Sequence, residues 1–301
     1  GLSSAQIAAL TTSNIAGLES ADLARITTTA IQGLAPAVLA QLTTTQLPGL
    51  TTALIANLLD TQVGALTTEQ IDQLSSASIQ ALTPANITGL TSQQLAALTT
   101  TNIAGLQSVD LAAITTDAIR GLQTDDVQAL SSTQIQGLTE AQIAQWSTDQ
   151  VRALTTQAVA NLTSSQVSSL TTEAAAALTP AQIAALRPGL TVYLPGSSLA
   201  LSTATIAALS TSQVAALIAS AFSEFSSTQI AAFTTDNISG LTSQQLAALT
   251  TANILGLESV DLSRITTEAI QGLESADLAR LSAAQLPGLT SAQIASLQTA
   301  Q

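Results

Sequence analysis

A leucine, or a residue of similar bulk, returns at every eighth position through almost the whole chain. From Leu2 to Leu186 the interval never changes, giving Leu10, Leu18, Ile26, Leu34 and so on through Trp146 to Leu178, a run of 23 octads. A second run starts at Leu201 and holds to Leu297, a further 12 octads. Period fidelity of this kind belongs to solenoids, in which each unit buries its apolar face only against its neighbours. The expected organisation is therefore a first array over 1–186, an irregular insert over 187–200 and a second array over 201–301.

The octad that best represents the set is Leu66-Thr67-Thr68-Glu69-Gln70-Ile71-Asp72-Gln73, with Leu74 opening the next. It reads as a helix start. Thr67 is placed to be an N-cap, its hydroxyl accepting from an N–H that the first turn leaves without a partner. Gln70 stands three residues on, where a capping-box side chain reaches back to the cap's own N–H. Leu66 and Ile71 are the two members of a hydrophobic staple. Ser or Thr occupies position two in 27 of the 35 octads, so the cap is a property of the repeat. A helix told to start again after eight residues is only about one to two turns long. Proline agrees: Pro36, Pro84, Pro180 and Pro188 all fall at position three, the first helical residue, where a missing N–H costs little. The rival, a β-solenoid, would set positions one and six on opposite faces of a strand. The predicted fold class is all-α: a solenoid or superhelical rod of very short helices with an 8-residue repeat. Its spine is the apolar side chains at positions one and six.

Glycine suggests a second layer. Eleven of the 15 glycines sit at position eight, in runs spaced by 16: Gly17, Gly33, Gly49; then Gly89 to Gly137; then Gly240 to Gly288. Position eight is the place just past a helix end, where a left-handed glycine is common. The spacing predicts a 16-residue unit of two helices with two different corners. Of the eight octads that depart from the cap rule, four look compensated: Glu19, Gln107, Glu258 and Glu274 are each followed by Ser and, two residues later, by Asp22, Asp110, Asp261 and Asp277. The expectation there is a cap hydroxyl moved along by one residue, with the aspartate facing the positive end of the helix dipole. The insert carries two Pro-Gly turns, and its seven-residue step from Leu194 to Leu201 predicts a kink or bulge. Phe222, Phe225 and Phe233 follow as fillers of a wider core.

The chain has no His, Cys, Met or Lys, and its net charge is −13. Nucleophilic catalysis needs a nucleophile beside a base, and neither pairing exists here. The carboxylates are scattered through first helical turns, so no catalytic, cofactor-binding or metal-ligating residue is assigned and the chain is read as a non-enzyme. Nucleic acid is excluded as a partner for want of clustered positive charge. No apolar run is long enough for a membrane span. Gly1 begins almost in register, which reads as a piece of a longer array. Arg187 and Tyr193, together in the irregular insert, are the candidate contacts for a protein or cell-surface partner. Trp146 replaces a position-one Leu and reads as core. Three glycosylation sequons, at Asn86, Asn161 and Asn237, are expected by accident in a chain of this composition.

The pattern in Leu66–Leu74, Leu138–Ile143 and Leu178–Leu186 resembles the Leu-Thr-Thr-x-Gln-Ile-x-Ala octapeptide arrays of large bacterial secreted or surface proteins. That resemblance implies an extracellular or cell-surface setting with a structural or adhesive role, and no active residues. The expected function is a non-catalytic spacer, stalk or filament segment, with end-to-end self-association open to its apolar ends. The alternative is a protein- or glycan-binding scaffold of adhesin type, and more distantly an ice- or surface-binding rod presenting its threonine rows.

Overall fold

The computed structural model describes residues 4–187, 190 and 201–297. Among these, every element is a short helix and there is no strand. The α-helices are four to six residues long, as in Ser92–Leu95 and Thr68–Gln73, and the remaining elements are single 3-10 turns such as Ile103–Gly105. None is long and apolar enough to cross a membrane. The chain divides into two compact units, Gly1–Leu154 and Thr155–Gln301. Each is a solenoid of short helices.

Local sequence accounts for each start and stop. Thr67 is extended, with φ −73° and ψ 160°, and its Oγ1 accepts from the Gln70 N–H at 3.1 Å. Gln70 Oε1 in return accepts from the Thr67 N–H at 2.8 Å. Leu74 closes the helix in the extended region, with φ −67° and ψ 138°. Two extended residues, Leu then Thr, thus form the corner between successive helices. The same reciprocal pair recurs at Thr91, Ser131, Thr139, Ser147, Thr163, Thr179, Ser210, Ser226, Thr242 and Thr290. Capping therefore accounts for the threonine rows. Thr139→Ala is expected to cost about 1 kcal/mol in urea titration, the usual value of an N-cap hydroxyl. The exposed Thr101→Ala should leave the midpoint unchanged.

Positions one and six both point inward. Ile71, Ile79, Ile87 and Leu95 are fully buried at position six, and Leu66, Leu74, Leu82 and Leu90 are nearly so at position one. Each buried Leu or Ile contributes roughly 1.5–3 kcal/mol, so stability accumulates turn by turn. Trp146 takes its place in this row as core. In the second unit Phe222 packs edge-on to Phe225 at 5.2 Å and stacks on Phe233 at 5.8 Å, which fills the interior as expected.

A 16-residue alternation accompanies most of the recurring glycines, although the octads of Gly121 and Gly137 are α-helical at Thr116–Ile119 and Ser132–Gly137. Ile15–Gly17, Ile31–Gly33 and Leu47–Gly49 are 3-10 turns, and the octads between them are α-helical at Ser20–Leu23 and Pro36–Leu39. The reason for glycine differs from the expected one. None of these glycines adopts a positive φ. A side chain is excluded instead by the neighbouring turn. A Cβ on Gly121 would overlap the carbonyl oxygen of Ser92, and one on Gly272 that of Ser243. The partner is 29 residues back at every position-eight glycine from Gly33 onward. Gly17, in the first turn, has open space around it.

Candidate functional site: an amide ladder between turns

Position five does more than cap. Gln70 Nε2 donates to the carbonyls of Leu39, at 3.1 Å, and Leu42, at 2.8 Å. Leu39 holds position six of its octad, as Ile71 does beside Gln70, and the two are 32 residues apart. One turn of the solenoid is therefore four octads. The same pair of bonds, 31 and 28 residues back, is made by Gln46, Gln62, Asn86, Gln94, Gln134 and Gln142 in the first unit. Asn237, Gln245, Asn253, Gln285 and Gln293 make it in the second. One buried amide thus satisfies three backbone groups: an N–H at its own cap and two carbonyls at a helix end one turn below. A buried polar group is tolerable only when partnered in this way.

Asparagine takes this position under one condition. Asn14, Asn86, Asn102, Asn237 and Asn253 are each followed three residues later by glycine. All five octads are 3-10 turns, Ile87–Gly89 and Ile254–Gly256 among them. Asparagine is one methylene shorter than glutamine. The missing Cβ lets that octad approach the turn below closely enough for the shorter amide to reach.

The seven-residue step of the insert appears in the ladder as a shift of one. Gln213 donates to Ile183, at 2.7 Å, and Leu186, at 2.9 Å, which are 30 and 27 residues back. The ladder therefore resumes beyond the insert. The expected kink or bulge lies outside the described residues, as does Tyr193. Arg187 is exposed, and its Nη2 donates to the Leu162 carbonyl at 2.7 Å, so its guanidinium is engaged with its own unit.

The four octads in which Glu or Gln at position two is followed by Ser differ from expectation. Glu19, Gln107, Glu258 and Glu274 are themselves the caps by backbone conformation. The serine that follows is already helical, so its hydroxyl has not taken over the cap. The aspartates occupy position five, the ladder place. Asp110, Asp261 and Asp277 are buried, as is Asp126, whereas Asp22 in the first turn is exposed. Asp126 Oδ2 accepts from the Gln123 N–H at 3.3 Å, and Asp261 Oδ2 from the Glu258 N–H at 3.2 Å. They keep the half of glutamine's task that needs an acceptor and lack the half that needs a donor. Burial pushes the carboxyls of Asp110, Asp126, Asp261 and Asp277 above their ordinary 3.8.

Two of the three sequons are ladder members: the amide nitrogens of Asn86 and Asn237 are buried and donate to backbone carbonyls, where no glycan could attach. Among the described residues no three His, Cys, Asp or Glu side chains come together as metal ligands would.

The chain is a tandem repeat. The ALTTAQ repeat family matches it over residues 103–140 and 270–301. Both stretches contain ladder glutamines, Gln134 in the first and Gln285 and Gln293 in the second, together with buried position-five aspartates. No curated protein matches the chain.

Proposed function

We propose that the chain is a non-catalytic spacer or stalk segment of a larger bacterial secreted or surface protein. The observation that carries this reading is the ladder itself. The polar side chains buried deepest are spent on bonds from one turn to the next, in the same register in both units. A partner site would require some octads to depart from that register and present converging groups. Of the octads without an amide at position five, ten have an uncharged residue there and five have aspartate, and beyond the first turn those aspartates are buried. The same economy explains the composition, since hydroxyls cap, amides tie turns together and Leu and Ile fill the interior. The resemblance to octapeptide arrays supports the secreted or surface setting.

A spacer has a length that can be changed by whole turns without loss of fold. Deleting residues 74–105, four octads, restores every ladder register across the junction. The expected result is an unchanged melting temperature and a scattering profile shortened by one turn. Deleting residues 74–103 instead leaves downstream amides two residues out of register and is expected to unfold the first unit. Loss of fold on the 32-residue deletion would remove the basis of the proposal. So would a partner captured by the intact chain and lost on Arg187→Ala with Tyr193→Ala, which would favour the adhesin-like scaffold.

A further inference from the structure

Asp110 is only 1% exposed, and its Oδ2 has no hydrogen-bond partner. The ladder's register sets the carbonyls of Ile79 and Leu82, 31 and 28 residues back, opposite this side chain. These are acceptors, and at every glutamine in the ladder such a pair meets an N–H. The helix that holds Asp110 and the described elements packed most closely against it carry no cation. Asp110's own helix, Ser108–Ala113, holds no other charge, and neither the Ser132–Gly137 helix nor the Ile87–Gly89 turn packed against it has a charged residue. Asp126 stands in the same place in Thr124–Ala129. It faces Asp125 on its own helix and Asp149 and Arg152 on Thr148–Ala153, and the Ile103–Gly105 turn is uncharged.

We propose that Asp110 and Asp126 make the stacking of turns proton-linked: each holds a proton in the folded solenoid, because an ionised carboxylate there would be buried against a turn that offers it acceptors and no donor, and the stack loosens when that proton leaves. Asp261 and Asp277 hold the same position in the second unit, beside Glu258 and Glu274, whose negative charges act in the same direction, with Arg264 of opposite sign closing the Asp261 helix. The sequence marks these octads. All five aspartates at position five follow a Glu or Gln at position two, and none of the five octads ends in the glycine that accompanies asparagine. They form a distinct class of octad within an otherwise neutral ladder.

The sign is opposite to ordinary acid denaturation. Desolvation raises these carboxyls in the fold, so the folded state binds more protons than the unfolded chain. The stability they contribute is complete below 3.8 and is lost as pH rises through the folded value. Relief of repulsion among exposed carboxylates works the same way, so the test separates the two.

The experiment follows the 13C-carboxyl signal of Asp110 in the full chain, together with melting temperatures at about pH 4.5 and pH 7 of wild type and Asp110→Asn/Asp126→Asn. Asparagine can make the cap bond, as Asn86 Oδ1 does with the Thr83 N–H at 2.8 Å. The expected results are an Asp110 midpoint above 3.8, a wild type that melts several degrees higher in acid, and a variant with a clearly smaller acid response, Asp261 and Asp277 keeping their share. The exposed pair Glu69→Gln/Asp72→Asn should leave the response in place. An Asp110 midpoint at or below 3.8, as for a carboxylate kept ionised by a bridging water or cation, overturns the proposal. An asparagine variant as pH-sensitive as wild type does so equally.

Discussion

Gln142→Glu is expected to destabilise the first unit by about 3–5 kcal/mol near neutral pH, the cost of a buried charge left without a donor. The substitution changes almost no volume. Gln142 is 1% exposed, and its Oε1 accepts from the Thr139 N–H at 2.8 Å, a bond that glutamate can keep. Its Nε2 donates to the carbonyls of Leu111, at 2.7 Å, and Ile114, at 2.6 Å. In glutamate that nitrogen becomes an oxygen facing two oxygens. Gln142→Leu is the control, removing the donor without adding a charge. The Leu111 carbonyl also accepts from the Ile114 N–H at 3.2 Å, so one of the two acceptors retains a partner and the loss should be about 2 kcal/mol. Urea titration near pH 7 should rank wild type above Leu and Leu above Glu. In acid the Glu variant should recover most of the difference, because protonation restores a donor. Equal destabilisation by Leu and Glu near neutral pH would show that the amide is merely space-filling.

This ranking explains a regularity in the sequence that capping alone leaves unexplained. A capping box accepts glutamate as readily as glutamine. Yet position five holds Gln or Asn in 20 of the 35 octads, Asp in five and Glu in none. Helix starts, helix length and both inward rows were legible because they depend on neighbours within eight residues, as Thr67, Gln70 and Ile71 do. The turn-to-turn bonds were not, because the carbonyls that receive Gln70 belong to Leu39 and Leu42, and nothing local announces a partner that far back. The absence of glutamate was the readable trace. It says that the position must donate as well as accept. Glycine misled for a related reason. Position eight is locally a helix end, which suggests a left-handed residue, whereas the force on it comes from a carbonyl 29 residues away. Arg187, a candidate partner contact in the sequence, is likewise held by the Leu162 carbonyl, again a contact from the turn below.

If glycine and asparagine are coupled through the spacing between turns, the coupling can be broken and repaired. Gly256 lies against the Ser227 carbonyl oxygen, with the Ile230 Cβ at 3.0 Å from the place a methyl would occupy. Both neighbours belong to the Ser227–Ile230 helix, and a helix backbone cannot give way as a flexible side chain does. Gly256→Ala must therefore lift its octad away from the turn below. Overpacking of this kind costs about 1–3 kcal/mol. A further loss of about 1–2 kcal/mol is expected because Asn253 is drawn off the Phe222 and Phe225 carbonyls, now at 2.7 and 3.1 Å. Gly17→Ala, where no atom lies within 4 Å, should be neutral. The decisive variant is Gly256→Ala with Asn253→Gln, in which the longer amide spans the widened gap as glutamine does in octads that end in alanine. Thermal melts should place the double variant above Gly256→Ala alone, while Asn253→Gln by itself should be tolerated, because Gln46 and Gln285 make both ladder bonds in octads that end in Gly49 and Gly288. A double variant no more stable than Gly256→Ala alone would mean that side-chain length and turn spacing are set independently, and the strict pairing of Asn with Gly in five octads would then have no structural cause.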